Sequence, residues 1–343
     1  MFDCHSVFLN KYGGPENLVY KKNTLDQPQD KEVLVKVDYS GINFADIMSR
    51  QGLYTTRLKP PYVLGMEISG IIKKVGKNIS EDLIGKSVTG LCKSGGYSDY
   101  VNVRADQLFI IDNKYSEKAA AIPVNYLTAY FMIVHQANLQ EKEWILIHGI
   151  GGGVGIAAAQ LAKHFGAKII GTASGNKFKR LKEIGDFELI DYQKEKFSDR
   201  VLAITNGSGA DVILDPLGGK ELNESYRCLS EFGRLGTYGF SSAALSSKRN
   251  FFKIIPQYIG MPRFNPLKLM KKNKTVFGFH LGLIESRKDL VKKYADIRIQ
   301  MLDNEIIAPV VDKVFPLSKA SDAHALIGQR KNIGKILLKP DES

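Results

Sequence analysis

The chain has 343 residues, more than one typical domain, so two lobes are expected. Hydrophobic residues at 44% and charged residues at 24% exclude wholesale disorder. No apolar run reaches the roughly 20 residues of a spanning helix, which excludes a transmembrane protein. The net charge of +12 is local: the acid-free stretch from Phe232 to Ile284 holds nine basic residues. Such a placement argues against a nucleic-acid partner, whose footprint spreads along a face or helix.

The N-terminus, MFDCHSVFLNKYGG, has no basic segment followed by an apolar one, so no signal peptide is expected. Cys4, Cys92 and Cys228 are too few and too scattered for a disulfide framework or a four-thiolate zinc site. They suit a cytoplasmic protein. From Val33 to about Ile111, short strand-like runs broken by glycine predict a β-rich lobe.

After about Pro123 the texture changes. Apolar runs at Trp144–His148, Lys168–Thr172, Asp211–Asp215, Gly233–Thr237 and Thr275–Phe279 alternate with helical patterns. That alternation predicts a parallel sheet with right-handed crossovers. The tail from Pro309 to Pro340 returns to β texture, which suggests a return to the first lobe. The expected division is 1–124, 125–303 and 304–343.

The segment WILIHGIGGGVGIAAAQLAKHF is the strongest motif. A strand runs into Gly149, Gly152 and Gly155, with Gly153 and Val154 between, and a helix with one apolar face follows. Glycines permit a tight turn and let backbone amides approach a pyrophosphate at the positive end of the helix. An NAD site places an acid about 20 residues on, to bind the ribose 2′-hydroxyl. Here the strand ends near Ser174, followed by Lys177 and Arg180, with no acid before Glu183. A hydroxyl and two cations suit a 2′-phosphate, so the cofactor expected is NADPH. The alternative is that both cations merely begin a solvated helix.

These segments, with NFADIMSRQGLY, LGMEISG, GGYSDYV, VNYLTAY, DPLGG, FGFHLG and KNIGKILL, resemble the zinc-free quinone oxidoreductase branch of the medium-chain dehydrogenases and reductases. The resemblance is greatest to homologues of the synaptic-vesicle amine transport protein. It implies an α/β chain: a GroES-like β-rich catalytic domain, built from both termini, plus a Rossmann doubly wound parallel-sheet domain. Where related alcohol dehydrogenases hold catalytic zinc through Cys and His, this chain carries Asn43 and Met66, so no metal is expected. Hydride transfer from NADPH to a quinone or α,β-unsaturated carbonyl is then the implied reaction.

By the same resemblance Asn43, Asp46, Tyr54 and Thr128 line the nicotinamide site, although Asp46 is also placed to cap a helix and Tyr54 to pack. Tyr192 reaches the adenosine phosphate and Gly218 the ribose. Gly239 and Phe240 follow the fifth strand, Phe279, His280 and Leu281 meet the carboxamide, and Asn332 closes the site. A homodimer through the edge strand is implied. For the basic segment 247–274, three readings stay open: a lid over the acceptor, a contact with anionic membrane, and RNA binding through cations and aromatics. The rival to a reductase is an NADPH-binding protein with little turnover, acting through membrane or partner attachment.

Overall fold

Alternating side chains and glycine-broken strands build the first unit. The computed structural model describes residues 1–54, 58–242 and 251–341. These residues divide into one unit of 1–124 and 309–341 and a second of 125–242 and 251–308. Residues 247–250, the start of the basic segment, lie outside the described residues.

In the first unit β1 (Phe2–Leu9) pairs antiparallel with β2 (Leu18–Leu25). β3 (Glu32–Ile42) follows and leads directly into α1 (Phe44–Arg50). β4 (Tyr62–Val63) joins the edge of β1. β5 (Glu67–Val75) and β6 (Ser87–Leu91) extend the sheet of β3 in antiparallel pairs. β7 (Tyr100–Arg104) also pairs with β3, and β8 (Leu108–Ile110) with β6. One core is a β-branched layer of Val33, Val35, Val37, Ile68, Ile72 and Val88. Removing such side chains from water is worth about 1.5–3 kcal/mol each. α2 (Ser116–Ala119) closes the first part of this unit.

α3 (Pro123–Tyr130) begins with Pro123 and Val124 of the first unit and carries the chain into the second, where a wider π-helical turn, Phe131–Gln136, extends it. β9 (Trp144–His148) then leads into α4 (Gly153–His164), β10 (Lys168–Ala173), α5 (Phe178–Ile184) and β11 (Glu188–Asp191). α6 (Phe197–Ile204) leads to β12 (Ala210–Asp215), and α7 (Glu221–Arg227) to β13 (Leu229–Thr237). α8 (Phe251–Ile259), α9 (Pro266–Met270), β14 (Thr275–Gly278) and α10 (Lys288–Asp303) complete it. The strands form one six-stranded parallel sheet in the order β11-β10-β9-β12-β13-β14. Ile145, Leu146 and Ile147 of β9 are completely buried, as a strand covered on both faces requires.

The chain then returns to the first unit through β15 (Val311–Pro316), α11 (Ala320–Gly328) and β16 (Lys335–Lys339). β16 pairs antiparallel with β3, so the larger sheet contains strands from both ends of the chain. Among the described residues no helix is long and apolar enough to cross a membrane.

Candidate functional site: a glycine turn at the sheet switch point and a buried ion pair

Strand order in the second unit reverses between β9 and β12: β10 and β11 lie on one side of β9, and β12 to β14 on the other. Ligands of open parallel sheets bind beyond the carboxyl ends of the strands at such a switch point. The glycine turn leaves β9 there, and the loop 215–219 leaves β12.

Gly149 takes φ +62°, which an L side chain resists. Gly152 caps α4, and its amide donates to the Gly149 carbonyl at 2.8 Å. Gly155 is held for a different reason. A Cβ on it would lie 2.6 Å from the Gly149 oxygen and 2.7 Å from the Ile150 Cα, so only hydrogen fits there. Gly153 sits against the Asn125 side chain, and Val154 is half-buried in the first turn of α4. No acidic residue lies in that turn, so the helix's own first turn carries no charge that offsets the positive end of its dipole.

Beyond β10 the Lys177 amine lies 3.8 Å from where a Gly151 Cβ would be, which brings a cation over the turn. Ser174 precedes a short 3-10 turn and donates to the Asn176 side-chain oxygen at 2.7 Å. Arg180 is exposed on α5, and Tyr192 is 45% exposed just after β11. Spacing along the chain did not reveal Asp191. It ends β11, packs its carboxylate beside Gly175 and accepts the Gln193 amide at 3.1 Å. Its signal was an acid closing a short strand, which a search confined to the end of β10 passes over.

On the other side of the switch point, Gly218 adopts φ +65° and packs against the Phe240 ring, while Gly239 packs against Pro216. Phe279 follows β14, and its amide is spent on the Thr237 carbonyl at 2.9 Å. Its ring stacks on Phe131 with centroids 5.5 Å apart. His280 and Leu281 follow, half-buried, and burial lowers the His280 imidazole. Thr128 is buried within α3.

The remaining predicted residues, Asn43, Asp46, Tyr54 and Asn332, belong to the first unit. Asn43 precedes α1, and its backbone amide donates to Asp46 Oδ2 at 2.8 Å, so Asp46 does cap its helix. The Asn43 side chain donates to Glu67 Oε1 at 2.7 Å and accepts from Lys335 Nζ at 2.6 Å. Lys335 also pairs with Glu67, whose other oxygen takes the Val124 amide at 2.8 Å. Lys335 and Glu67 are 3% and 0% exposed. Sequence reasoning singled out Asn43 but neither of its partners, Glu67 and Lys335.

Asp46 is fully buried, and burial lifts its carboxyl to about 7 against the pull of the Asn43 amide and Lys335. Tyr97, also buried, lies 3.1 Å from His324 Nε2. Burial and the nearby Arg50 hold that imidazole well below its usual range. Tyr54 is half-buried, and its phenol is pushed up to about 12. Asn332 donates to the Gly334 carbonyl at 2.8 Å.

A six-stranded parallel sheet with a glycine turn at its switch point, in a chain whose two ends share a second β unit, is the architecture of the medium-chain dehydrogenases and reductases. Residues 29–113 match the family described as alcohol dehydrogenase GroES-like domain, and residues 153–296 the family described as zinc-binding dehydrogenase. A synaptic vesicle membrane protein VAT-1 homolog of Danio rerio is 34% identical over 340 residues, which cover 98% of this chain and 70% of that protein. The crystal structure of the human VAT-1 homolog-like protein superposes with a TM-score of 0.86 at 29% identity, covering 100% of both chains. Escherichia coli quinone oxidoreductase complexed with NADPH gives a TM-score of 0.86 at 28% identity, over 98% of this chain and 100% of that one. The chain belongs to the medium-chain dehydrogenase/reductase superfamily of oxidoreductases, in the group of the VAT-1 homologues.

The described residues do not fit the zinc of the family description. Asn43 and Met66 are not usual zinc ligands, and the carboxylate beside them, Glu67, is taken by the Lys335 ammonium. Among the described residues no group of three or more His, Cys, Asp or Glu side chains is placed to hold a metal ion.

Proposed function

We propose that the protein is an NADPH-dependent, zinc-independent reductase of quinones or α,β-unsaturated carbonyls. The observation that carries this reading is the glycine turn at the switch point with the Lys177 amine above it. The amides at the head of α4 would hold the pyrophosphate, and Ser174, Lys177, Arg180 and Tyr192 the adenosine end. Gly218 would lie beside the ribose, with Gly239 and Phe240 following β13 toward the cofactor, while Phe279, His280 and Leu281 would meet the carboxamide and Asn332 would close the site. When bound, the nicotinamide supplies a hydride.

The acceptor must then be electron-poor without metal help, which conjugation to a carbonyl provides. Its electrophilic carbon takes the hydride, and water supplies the proton to oxygen or to the neighbouring carbon. Raised to about 12, the Tyr54 phenol stays protonated at neutral pH and is suited to donate to the acceptor's carbonyl oxygen. Asn43 and Asp46 would act through position, since the first is engaged by Lys335 and Glu67 and the second by the Asn43 amide. A homodimer through the open edge of β14 is part of this reading.

A second reading, a dinucleotide-binding protein with little turnover that attaches to anionic membrane or a partner, draws on α8 and α9. Ile255, Tyr258, Ile259, Leu267 and Met270 are exposed there beside Arg263, Lys268 and Lys271. Steady-state NADPH oxidation over a panel of quinones and enones tests both. Turnover well above background supports the reductase. Background rates on every acceptor, with tight NADPH binding and co-sedimentation with anionic vesicles, would replace it with the second reading.

A further inference from the structure

Four buried side chains join the two loops at the switch point in one continuous hydrogen-bond chain. The Gly149 amide donates to Thr172 Oγ1 at 3.2 Å, and that oxygen lies 3.1 Å from His148 Nδ1. His148 Nε2 lies 3.0 Å from Ser225 Oγ, which donates to Asp215 Oδ2 at 2.6 Å. Asp215 Oδ1 accepts the Leu217 and Gly218 amides at 2.7 and 2.9 Å. His148, Thr172, Asp215 and Ser225 are all buried.

The ends of this chain dictate its direction. Asp215 is an acceptor of three donors, so the Ser225 proton is spent on it, and the serine oxygen must accept from His148. Nε2 therefore carries the hydrogen. Burial, against the opposing pull of the Asp215 carboxylate, holds the imidazole below its usual range, so the ring is neutral and Nδ1 is left with a lone pair. Thr172 fills that lone pair with its hydroxyl and takes the Gly149 amide on its oxygen. Ser225 Oγ also lies 3.3 Å from the Glu221 carbonyl, a second acceptor that leaves its oxygen facing His148 as the acceptor, and none of these atoms is among the unpaired buried polar atoms of the described residues. The Phe197 ring packs edge-on against His148 at 4.6 Å and fixes its plane.

Packing alone does not hold Gly149. A Cβ on it would have no heavy atom within 4 Å, although its φ is +62°. The chain of hydrogen bonds supplies the restraint. We propose that His148, held as the neutral Nε2–H tautomer between Thr172 and Ser225, is a positioning residue that locks the glycine turn to the loop 215–219, so that dinucleotide affinity depends on the direction of this chain. The inference rests on the dinucleotide reading above.

Nitrogen-15 NMR of labelled histidine reads the tautomer directly, and calorimetry reads NADPH affinity. The unaltered protein should show His148 as Nε2–H. In Asp215→Asn an amide faces Ser225, the serine becomes an acceptor from it, and its proton turns to the nearer Nε2 at 3.0 Å rather than to the Glu221 carbonyl at 3.3 Å, so the imidazole should reverse to Nδ1–H. Asp215→Asn and Ser225→Ala should each weaken NADPH about tenfold, the loss of roughly one well-made buried hydrogen bond. Ser225→Thr, which keeps the hydroxyl, should restore affinity. Val201→Ala, a core truncation elsewhere in the same unit, should lower Tm and leave Kd unchanged. Nδ1–H in the unaltered protein, or an unchanged Kd in Ser225→Ala, overturns this inference alone. No binding of NADPH by the unaltered protein overturns the dinucleotide reading and this inference with it.

Discussion

The Lys335 ammonium meets the Asn43 side-chain oxygen at 2.6 Å while pairing with Glu67, so residues 292 positions apart share one buried charge cluster. The cluster ties β16 to the start of α1 and to β5. Truncating its cation leaves the Glu67 carboxylate buried with only neutral donors. Lys335→Met should therefore cost about 3–5 kcal/mol of unfolding free energy, measured by denaturant titration. Adding Glu67→Gln should recover much of that, because no buried charge remains. A single variant within about 1 kcal/mol of the unaltered protein would show that the pair is not closed to water.

Two glycines of the turn should respond differently to the same substitution. Gly155→Ala drives a methyl into backbone at 2.6–2.7 Å and must displace the Gly149 carbonyl and Ile150. A stability loss of about 1–3 kcal/mol is expected, with a larger loss of NADPH affinity because the turn itself moves. Gly149→Ala meets no atom within 4 Å and should cost only the left-handed backbone conformation, about 1–2 kcal/mol. Denaturation curves and calorimetry on both variants check the contrast. Equal effects on affinity would mean that the turn is not set by the close approach of α4 to β9.

Buried titrating groups give stability a pH dependence of two opposing signs. Burial lifts Asp46 to about 7, so the folded chain keeps a proton that the unfolded chain releases above about 3.9. That contribution is complete at low pH and is lost as pH rises through 7. His148 and His324 are held below the ordinary imidazole value by burial, so their contribution is present above about 6.5 and is lost as pH falls. Asp46→Asn keeps an oxygen for the Asn43 amide and removes only the first effect. The stability of the variant relative to the unaltered protein should therefore improve between about pH 5 and about pH 8. A difference that stays constant over that range would place Asp46 in contact with solvent.

The parallel sheet was legible because its strands hold apolar runs that lead into a glycine or close on an acid, as in Trp144–His148 before Gly149 and Ala210–Asp215. β11 escaped notice: Glu188–Asp191 has only Leu189 and Ile190 between two acids, too few for a periodic signal. The glycine turn could be read because its residues are consecutive and each answers a local steric demand. The Asn43–Glu67–Lys335 cluster could not, because burial of Lys335 is decided by β3 and β5. Within β16 itself Lys335 is buried and Lys339 exposed, and nothing in the local sequence separates them. The hydrogen-bond chain through His148 could not be read for the same reason, since its partners Thr172 and Ser225 lie 24 and 77 residues away.

Coenzyme preference is the sharpest test of the adenosine end. Lys177 and Arg180 would attract a 2′-phosphate, while Asp191, beside Gly175, is a carboxylate that would favour a free ribose hydroxyl. Lys177→Ala should raise the Kd for NADPH about tenfold or more, the scale of one charge-assisted hydrogen bond, and leave NADH almost unchanged. Raising salt should weaken NADPH more than NADH in the unaltered protein and should narrow that gap in the variant. Asp191→Asn should shift preference the other way, by losing NADH affinity alone. Equal affinity for both coenzymes in the unaltered protein, with Lys177→Ala silent, would reassign the two cations to a solvated helix start and leave Asp191 as the ribose contact.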